Sequence, residues 1–350
     1  NVTVYERDEH KDARQQGATL DLHDDSGLKA IREAGLVEAF MANYRPGADR
    51  LRMMDKFANI LLEDDINKDG ELSRPEIDRG PLQKLLLESL QEGTVVWDSN
   101  FASLTPQDDS WKLEFKNGTY AVADIVIAAD GANSKVRPYI TPIKPFYAGV
   151  TAVEGVIYNS EAAAPKMHKL LNGGKIFAFG DEKSLILSSK GDGSLMFYTG
   201  SKKEEKWFRE CGIDFTNKAQ VLEWFRKEYA DWDSVWQELF ENASTQLIPR
   251  PQYCMPLDQT WEALPNLTMI GDAAHLMPPY AGEGVNMAML DALELSECLT
   301  NENFPDVHSA IAAYEKQMRI RASASAKDTL ISTDALHSAD AISFLTGVIS

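Results

Sequence analysis

The sequence predicts an α/β protein of two lobes: a parallel sheet wrapped by helices, and a mostly antiparallel sheet inserted into it, followed by a helical tail. Three observations predict this. Short apolar strands ending on an acid or a glycine recur at 1–6, 124–131 and 267–272, and an uninterrupted apolar run of this kind suits a buried parallel sheet. From about 145 to 256 the texture changes to short strands mixed with one helical stretch. From 307 to 350 the composition is helical and free of proline.

The bulk composition agrees. A chain of 350 residues, 44% hydrophobic and 9% aromatic, fits two packed lobes of an ordinary globular protein. Its 54 acids against 35 lysines and arginines give a net charge of −19. Such a surface repels nucleic acid and anionic membranes, so neither is expected as a partner. Cys211, Cys254 and Cys298 are odd in number and lack metal-ligand spacing, which points to lone thiols in a reducing, cytoplasmic compartment. The best apolar stretch is interrupted by Glu283, Asp291 and Glu294 and cannot span a bilayer.

Taken in order, Asn1-Val-Thr-Val-Tyr-Glu6 reads as the last part of a strand, with no initiator Met before it, so an upstream segment is expected. Residues 27–36 carry Leu28, Ile31 and Leu36 at helical spacing. Leu82, Leu86 and Leu90 repeat at intervals of four, predicting a helix over 81–90 with Pro81 in its first turn. Trp111, Leu113 and Phe115 alternate with polar residues, and Asn117-Gly118 is expected to supply the positive φ angles of a hairpin turn. In the middle section, 184–188 and 194–199 read as strands. The stretch 219–240 reads as a helix with Leu222, Phe225, Tyr229 and Trp232 on one face. A further helix is expected over 285–299.

Three constellations carry chemistry. Glu6 ends its strand as the acid of a nucleotide-binding βαβ unit does, bonding ribose hydroxyls roughly 20 residues after a Gly-rich phosphate loop. That loop would lie upstream of Asn1, and a plain surface acid is the other reading. Asp130-Gly131, followed by Ser134 and Arg137, lets backbone approach a ligand after a buried strand; a plain strand-to-helix turn held by Arg137 is the other reading. The strongest segment is Gly271-Asp272 through Pro278-Pro279 to Gly282-Glu283-Gly284-Val285-Asn286. There a strand delivers an acid to a loop, two prolines stiffen it, and two glycines open a helix whose start favours negative charge.

In this order, Glu6-Arg7, Arg79-x-x-Leu82-x-x-x-Leu86, Asp130-Gly-x-x-Ser134-x-x-Arg137 and Gly271-Asp272…Pro278-Pro279…Gly282-x-Gly284 resemble the group A flavoprotein monooxygenases. Val4-Tyr-Glu-Arg-Asp8, Ala18-Thr-Leu-Asp-Leu-His23 and Ile270 to Pro279 look most like the tetracycline-inactivating, TetX-type subgroup. The resemblance implies a Rossmann-like FAD-binding domain over 1–42, 74–142 and 260–322. It implies a substrate domain over 43–73 and 143–259, and a C-terminal bridging helix over 323–350. Glu6 and Arg7 would hold the adenosine end, Arg79 the ribityl-phosphate region and Asp272 the ribityl chain. Asp130 and Pro279 would complete the cradle, with Gly282, Gly284, Val285 and Asn286 behind the isoalloxazine ring. Asp21 matches a residue beside the flavin. Arg14 matches one associated with the nicotinamide cofactor, although a solvated arginine on an acidic loop reads as well.

The implied chemistry belongs to the cofactor: NADPH reduces FAD, the reduced flavin takes up O₂ as a C4a-hydroperoxide, and an oxygen atom passes to an aromatic or polycyclic small molecule. No catalytic side chain is needed. Pro278 is expected at the substrate, and an ungapped registration on the Asn172-Gly173 turn places Glu154, Lys175, Ile186 and Met196 at substrate-facing positions. The tetracycline enzymes carry Gln, Arg, Phe and His there. Because an Arg-to-Lys change loses the bidentate fork and a Met cannot replace a His donor, a related polycyclic or phenolic substrate is expected in place of tetracycline itself. Glu283 stands where the family has Gln, and is expected to point away from the flavin. The same fold also serves flavin oxidases, dehydrogenases and idle flavin binders. A monomer is expected.

Overall fold

The computed structural model describes residues 2–13, 17, 19–64 and 74–349. The chain begins with β1 (Val4–Tyr5), β2 (Leu20–Asp21), α1 (Gly27–Glu33) and α2 (Val37–Met41). Next come β3 (Leu51–Asp55), β4 (Ile60–Asp64), β5 (Glu76–Ile77), α3 (Arg79–Glu88) and β6 (Val95–Val96). A meander of β7 (Phe101–Gln107), β8 (Ser110–Phe115) and β9 (Tyr120–Ala123) precedes β10 (Val126–Ala128) and α4 (Arg137–Ile140). The middle section holds β11 (Phe146–Ile157), α5 (Ser160–Ala163), α6 (Pro165–Leu171), β12 (Lys175–Gly180), β13 (Lys183–Ser189) and β14 (Leu195–Lys202). It continues through α7 (Trp207–Glu210), α8 (Lys218–Glu228), α9 (Gln237–Glu241) and β15 (Ile248–Cys254). Last come β16 (Leu267–Met269), α10 (Asp272–His275), α11 (Gly284–Thr300), α12 (Val307–Leu336) and α13 (Ala341–Ile349).

The mixed α/β class and both sheet types are as expected. Two parallel ladders, β1 with β6 and β10 with β16, form the α/β lobe. Val126, Ala128, Leu267 and Met269 turn inward there against Tyr314 and Met318 of α12, and the Tyr314 hydroxyl donates to the Met269 carbonyl at 3.2 Å. The second lobe is a seven-stranded sheet in the order β15-β11-β14-β13-β12-β3-β4, antiparallel except where β12 meets β3. Thus β3 and β4, far earlier in the chain, join strands from the middle section.

Strand alternation divides this sheet into two faces. Val153, Ile176, Ala178, Leu185, Leu187 and Phe197 turn to a core shared with α6, α8 and α9, where Trp224, Phe225, Trp236 and Phe240 pack. The opposite face carries the cross-strand row Phe177–Ile186–Tyr198–Glu154 and, beside it, Lys175–Ser188–Met196–Val156.

Three elements differ from expectation. The single helix over 219–240 is broken: α8 stops at Glu228, and a 3-10 turn over Ser234–Trp236 leads into α9. The Asp233 carboxylate takes the Val235 N–H at 2.8 Å, offering the backbone a local alternative to the helix. Tyr229 and Trp232 still reach the aromatic core. In the β8–β9 turn only Gly118 has positive φ, at +84°, so Asn117 plays a different part: its side-chain oxygen accepts the Thr119 N–H at 2.9 Å. The tail is not one separate helix from 323. α12 begins at Val307 and runs unbroken through that boundary, and α13 follows as a short second helix.

Candidate functional site

β16 ends at Met269, and two residues on stands Gly271, whose φ of +59° suits glycine and whose missing Cβ would sit 3.1 Å from the Ala288 Cβ. Asp272 opens α10 there, held from below. The fully buried Asp291 of α11 accepts the Gly271 N–H at 2.8 Å, His275 Nε2 at 2.5 Å and Arg321 Nη2 at 2.6 Å. Arg137 comes from the other side, donating to the carbonyls of Ala273 at 2.6 Å and Asp272 at 2.8 Å. Three of these bonds fix backbone, and the other two, from His275 and Arg321, hold Asp291 itself. The Asp272 carboxylate itself is half-buried, and burial raises its pKa against the pull of His275, Arg79 and Arg137. Such a group is suited to hold hydroxyls. His275, bound to Asp291, is a structural residue rather than a base.

The next turn brings distant segments together. Pro278-Pro279 lead a 3-10 turn over Pro279–Ala281, and Gly282 follows at φ +72° with the Asp21 carboxylate oxygens 3.4 and 3.5 Å from its would-be Cβ. Nothing lies within 4 Å of the corresponding point at Gly284, so the start of α11 is open. Asn286, fully buried, staples that start to β2. It accepts the His23 N–H at 2.9 Å and donates to the carbonyls of Asp21 at 3.0 Å and Gly282 at 3.3 Å. Val285 packs against the cluster of Leu22, Leu28 and Leu82. Glu283 turns its carboxylate toward His23 Nδ1, 3.5 Å away, while His23 Nε2 lies 3.1 Å from Asp21 Oδ2.

Electrostatics separate the acids here. Burial alone would raise Asp21, but the His23 hydrogen bond and the Lys175 charge outweigh it, and its pKa is lowered. Burial raises Glu76 despite its ion pair with Lys175. Burial also raises Glu283 against His23 and Arg74. Lys175 thus ties the seven-stranded sheet to the β2–β5 ladder, and its charge is already shared between Glu76 and Asp21.

Other expected residues divide more widely. Glu6 sits at the carboxyl end of β1, where its side chain also accepts the Asp8 N–H at 3.0 Å, and Arg7 beside it is exposed. Arg79 opens α3, exposed, with Gly17 against it. Arg14 lies outside the described residues. Asp130 accepts the amides of Lys135 at 2.7 Å and Val136 at 3.3 Å, so it caps the turn into α4. Glu154, Lys175, Ile186 and Met196 all lie on one face of the seven-stranded sheet, as the registration required. Glu154 is engaged by Arg250 at 2.9 Å, and Met196 is buried with the Tyr198 hydroxyl donating to its sulfur at 3.4 Å. Tyr280 joins the lobes: it packs with Phe177, Phe179 and Phe344 of α13 and meets the His337 ring edge-on at 4.9 Å.

These residues fit a flavin dinucleotide. A hydroxyl-binding acid at a fixed turn, a cationic Arg79 and a glycine-lined, open helix start are what a polyol, a phosphate and an electron-rich ring require. The family model for the FAD binding domain matches residues 21–327. The chain belongs to that family. Monooxygenase asqM of Emericella nidulans is 29% identical over 92% of this chain and 86% of its own length. A putative FAD-containing monooxygenase from Photorhabdus luminescens superposes with a TM-score of 0.78 and 23% identity, over 95% of this chain and 91% of that one. The tetracycline destructase Tet(55) superposes at 0.75 with 19% identity, over 99% and 88%. The likeness to tetracycline-inactivating enzymes is therefore one of fold, while asqM, one relative by sequence, is a monooxygenase. Among the described residues, no group of acids, histidines and cysteines forms a metal site, and no helix is long and apolar enough to cross a membrane.

Residues that the sequence reading passed over complete the site. Tyr198 and Phe177 were visible in the alternation of their strands, two positions from Met196 and Lys175. Arg321 left no such trace, since it lies mid-helix among many charged residues. Asp291 was seen only as an acid interrupting an apolar helix, which is the signature of a buried, partnered carboxylate.

Proposed function

We propose that this chain is an FAD-dependent monooxygenase that uses NADPH and O₂ to oxygenate an aromatic or polycyclic small molecule lying on the Phe177–Ile186–Tyr198 row of the seven-stranded sheet. One observation carries the substrate side of this reading. That row is the partly exposed apolar strip of a face whose charges are paired off, Lys175 with Glu76 and Glu154 with Arg250. A planar, largely uncharged ring system suits such a strip better than a carboxylate-bearing substrate, which would need a free cation.

When bound and reduced, FAD supplies the activated oxygen. The chain's own residues do the rest. Glu6 with Arg7 would take the adenosine end, Arg79 the phosphates and Asp272 the ribityl hydroxyls. The first-turn amides of Gly284, Val285 and Asn286 have no helical acceptor and would face the ring's electron-rich edge. Pro278 would lie at the substrate, and Tyr280, packed in the cluster of Phe177 and Phe179, would help to exclude water from the space between helix start and sheet. Arg14 would serve the nicotinamide cofactor. The FAD-binding segments would be 1–42, 74–142 and 260–322, with substrate held by 43–73 and 143–259.

Oxygen uptake by the FAD-loaded full-length protein tests this. NADPH consumption and O₂ uptake should both rise on adding a phenolic or fused-ring compound, with an oxygenated product formed. Reduction of the flavin by a substrate without NADPH would instead indicate an oxidase or dehydrogenase. Tetracycline oxidised as fast as NADPH is consumed would contradict the expectation of a different ring system.

A further inference from the structure

The start of α11 places an acid, Glu283, between two glycines where the cofactor's electron-rich ring is proposed to lie. A bare carboxylate there would oppose reduction of the ring, because reduction adds negative charge. The structure supplies a partner. His23 is held by its backbone on both sides: its N–H is given to Asn286, and its carbonyl takes the amides of Leu28 at 2.9 Å and Ser26 at 3.3 Å. Its imidazole then lies between two carboxylates, Asp21 on Nε2 at 3.1 Å and Glu283 on Nδ1 at 3.5 Å. Each ring nitrogen thus faces a carboxylate oxygen. The other charged groups around Glu283 are Arg74, Asp21 and Asp25.

We infer that His23 is a positioning residue that fixes where the Glu283 carboxylate sits beside the flavin, so that the two side chains together set the flavin's reduction potential. This rests on FAD lying at the start of α11, as proposed above. The physical consequence is coupling. With His23 in place, the Glu283 carboxylate is turned toward the imidazole, at 3.5 Å. Without it, the carboxylate loses that anchor and can turn toward the ring, so that its removal is felt more strongly there.

A double-mutant cycle on the FAD-loaded protein reads this directly, with the potential measured by equilibration against a reference dye. Glu283→Gln should move the potential in the positive direction in both backgrounds, by about twofold or more further in His23→Gln than in the wild type. His23→Asn takes the place of the glutamine variant if that chain does not fold. A Glu283→Gln shift of equal size with and without His23, or none in either, overturns the inference while leaving FAD binding intact. A folded chain that retains no FAD overturns this inference together with the reading on which it rests.

Discussion

The two lobes are held together by opposite materials. The α/β lobe relies on buried polar stitching: around Asp272, the side chains of Asp291, Arg321, His275 and Arg137 all bond to backbone or to one another. The seven-stranded sheet relies on an aromatic core, where Phe225 stacks on Phe240 with ring centroids 4.0 Å apart and Trp232 meets Trp236 edge-on. Its other face is then set by register alone. A turn fixed by directional bonds presents one atom in one place, as a cofactor needs. A packed sheet presents a strip whose shape can vary by exchanging side chains, as a substrate surface needs.

The largest expected effect breaks the first material. Asp291→Ala leaves Arg321 short of a buried partner and frees the Gly271 amide, costing about 3–5 kcal/mol of stability. Thermal unfolding should show the loss, and FAD should be retained poorly even where the chain stays folded. Trp236→Ala breaks the second material at a similar cost of about 3–5 kcal/mol, through a cavity and the lost bond to the Lys56 carbonyl. Here the folded fraction should keep its FAD affinity. Should both substitutions weaken FAD equally, the lobes are not separate in this sense.

Smaller effects sharpen the contrast. Asp272→Ala should weaken FAD by roughly 10- to 100-fold, the worth of about 1.5–3 kcal/mol for a hydrogen bond to a charged group. Its melting temperature without FAD should change little, and flavin fluorescence titration reads the affinity. His337 tests the seam. Burial lowers its pKa from 6.5 to about 4, and its Nε2 meets Ser184 of β13 at 3.0 Å. A depressed folded pKa means stability that is complete above pH 6.5 and lost as the pH falls toward 4. At pH 5 the loss should be about 2 kcal/mol. It should vanish in His337→Gln, whose stability relative to wild type therefore improves between pH 7 and pH 5.

Much of this was legible in the sequence for a physical reason. The α/β lobe announces itself because its positions demand particular residues: glycine at Gly271 and Gly282 for positive φ, an acid at Asp272, and the Pro278-Pro279 pair. The sheet was legible only as alternation, so Glu154, Lys175, Ile186 and Met196 fell together on one face while Tyr198 and Phe177 between them went unread. The break at 229–236 was hidden because Tyr229 and Trp232 keep helical spacing while the backbone follows the Asp233 cap. The partners of Glu283 and Asp291 come from segments hundreds or tens of residues away, and no local pattern encodes such a pairing.

The crystal structure of the full-length protein with FAD tests the central claim most directly. The isoalloxazine ring should lie against Gly282–Gly284 and the first turn of α11, facing the Phe177–Ile186–Tyr198 row, with a ribityl hydroxyl on Asp272. A ring placed away from that helix start, or an Asp272 carboxylate that touches no part of the cofactor, would contradict it.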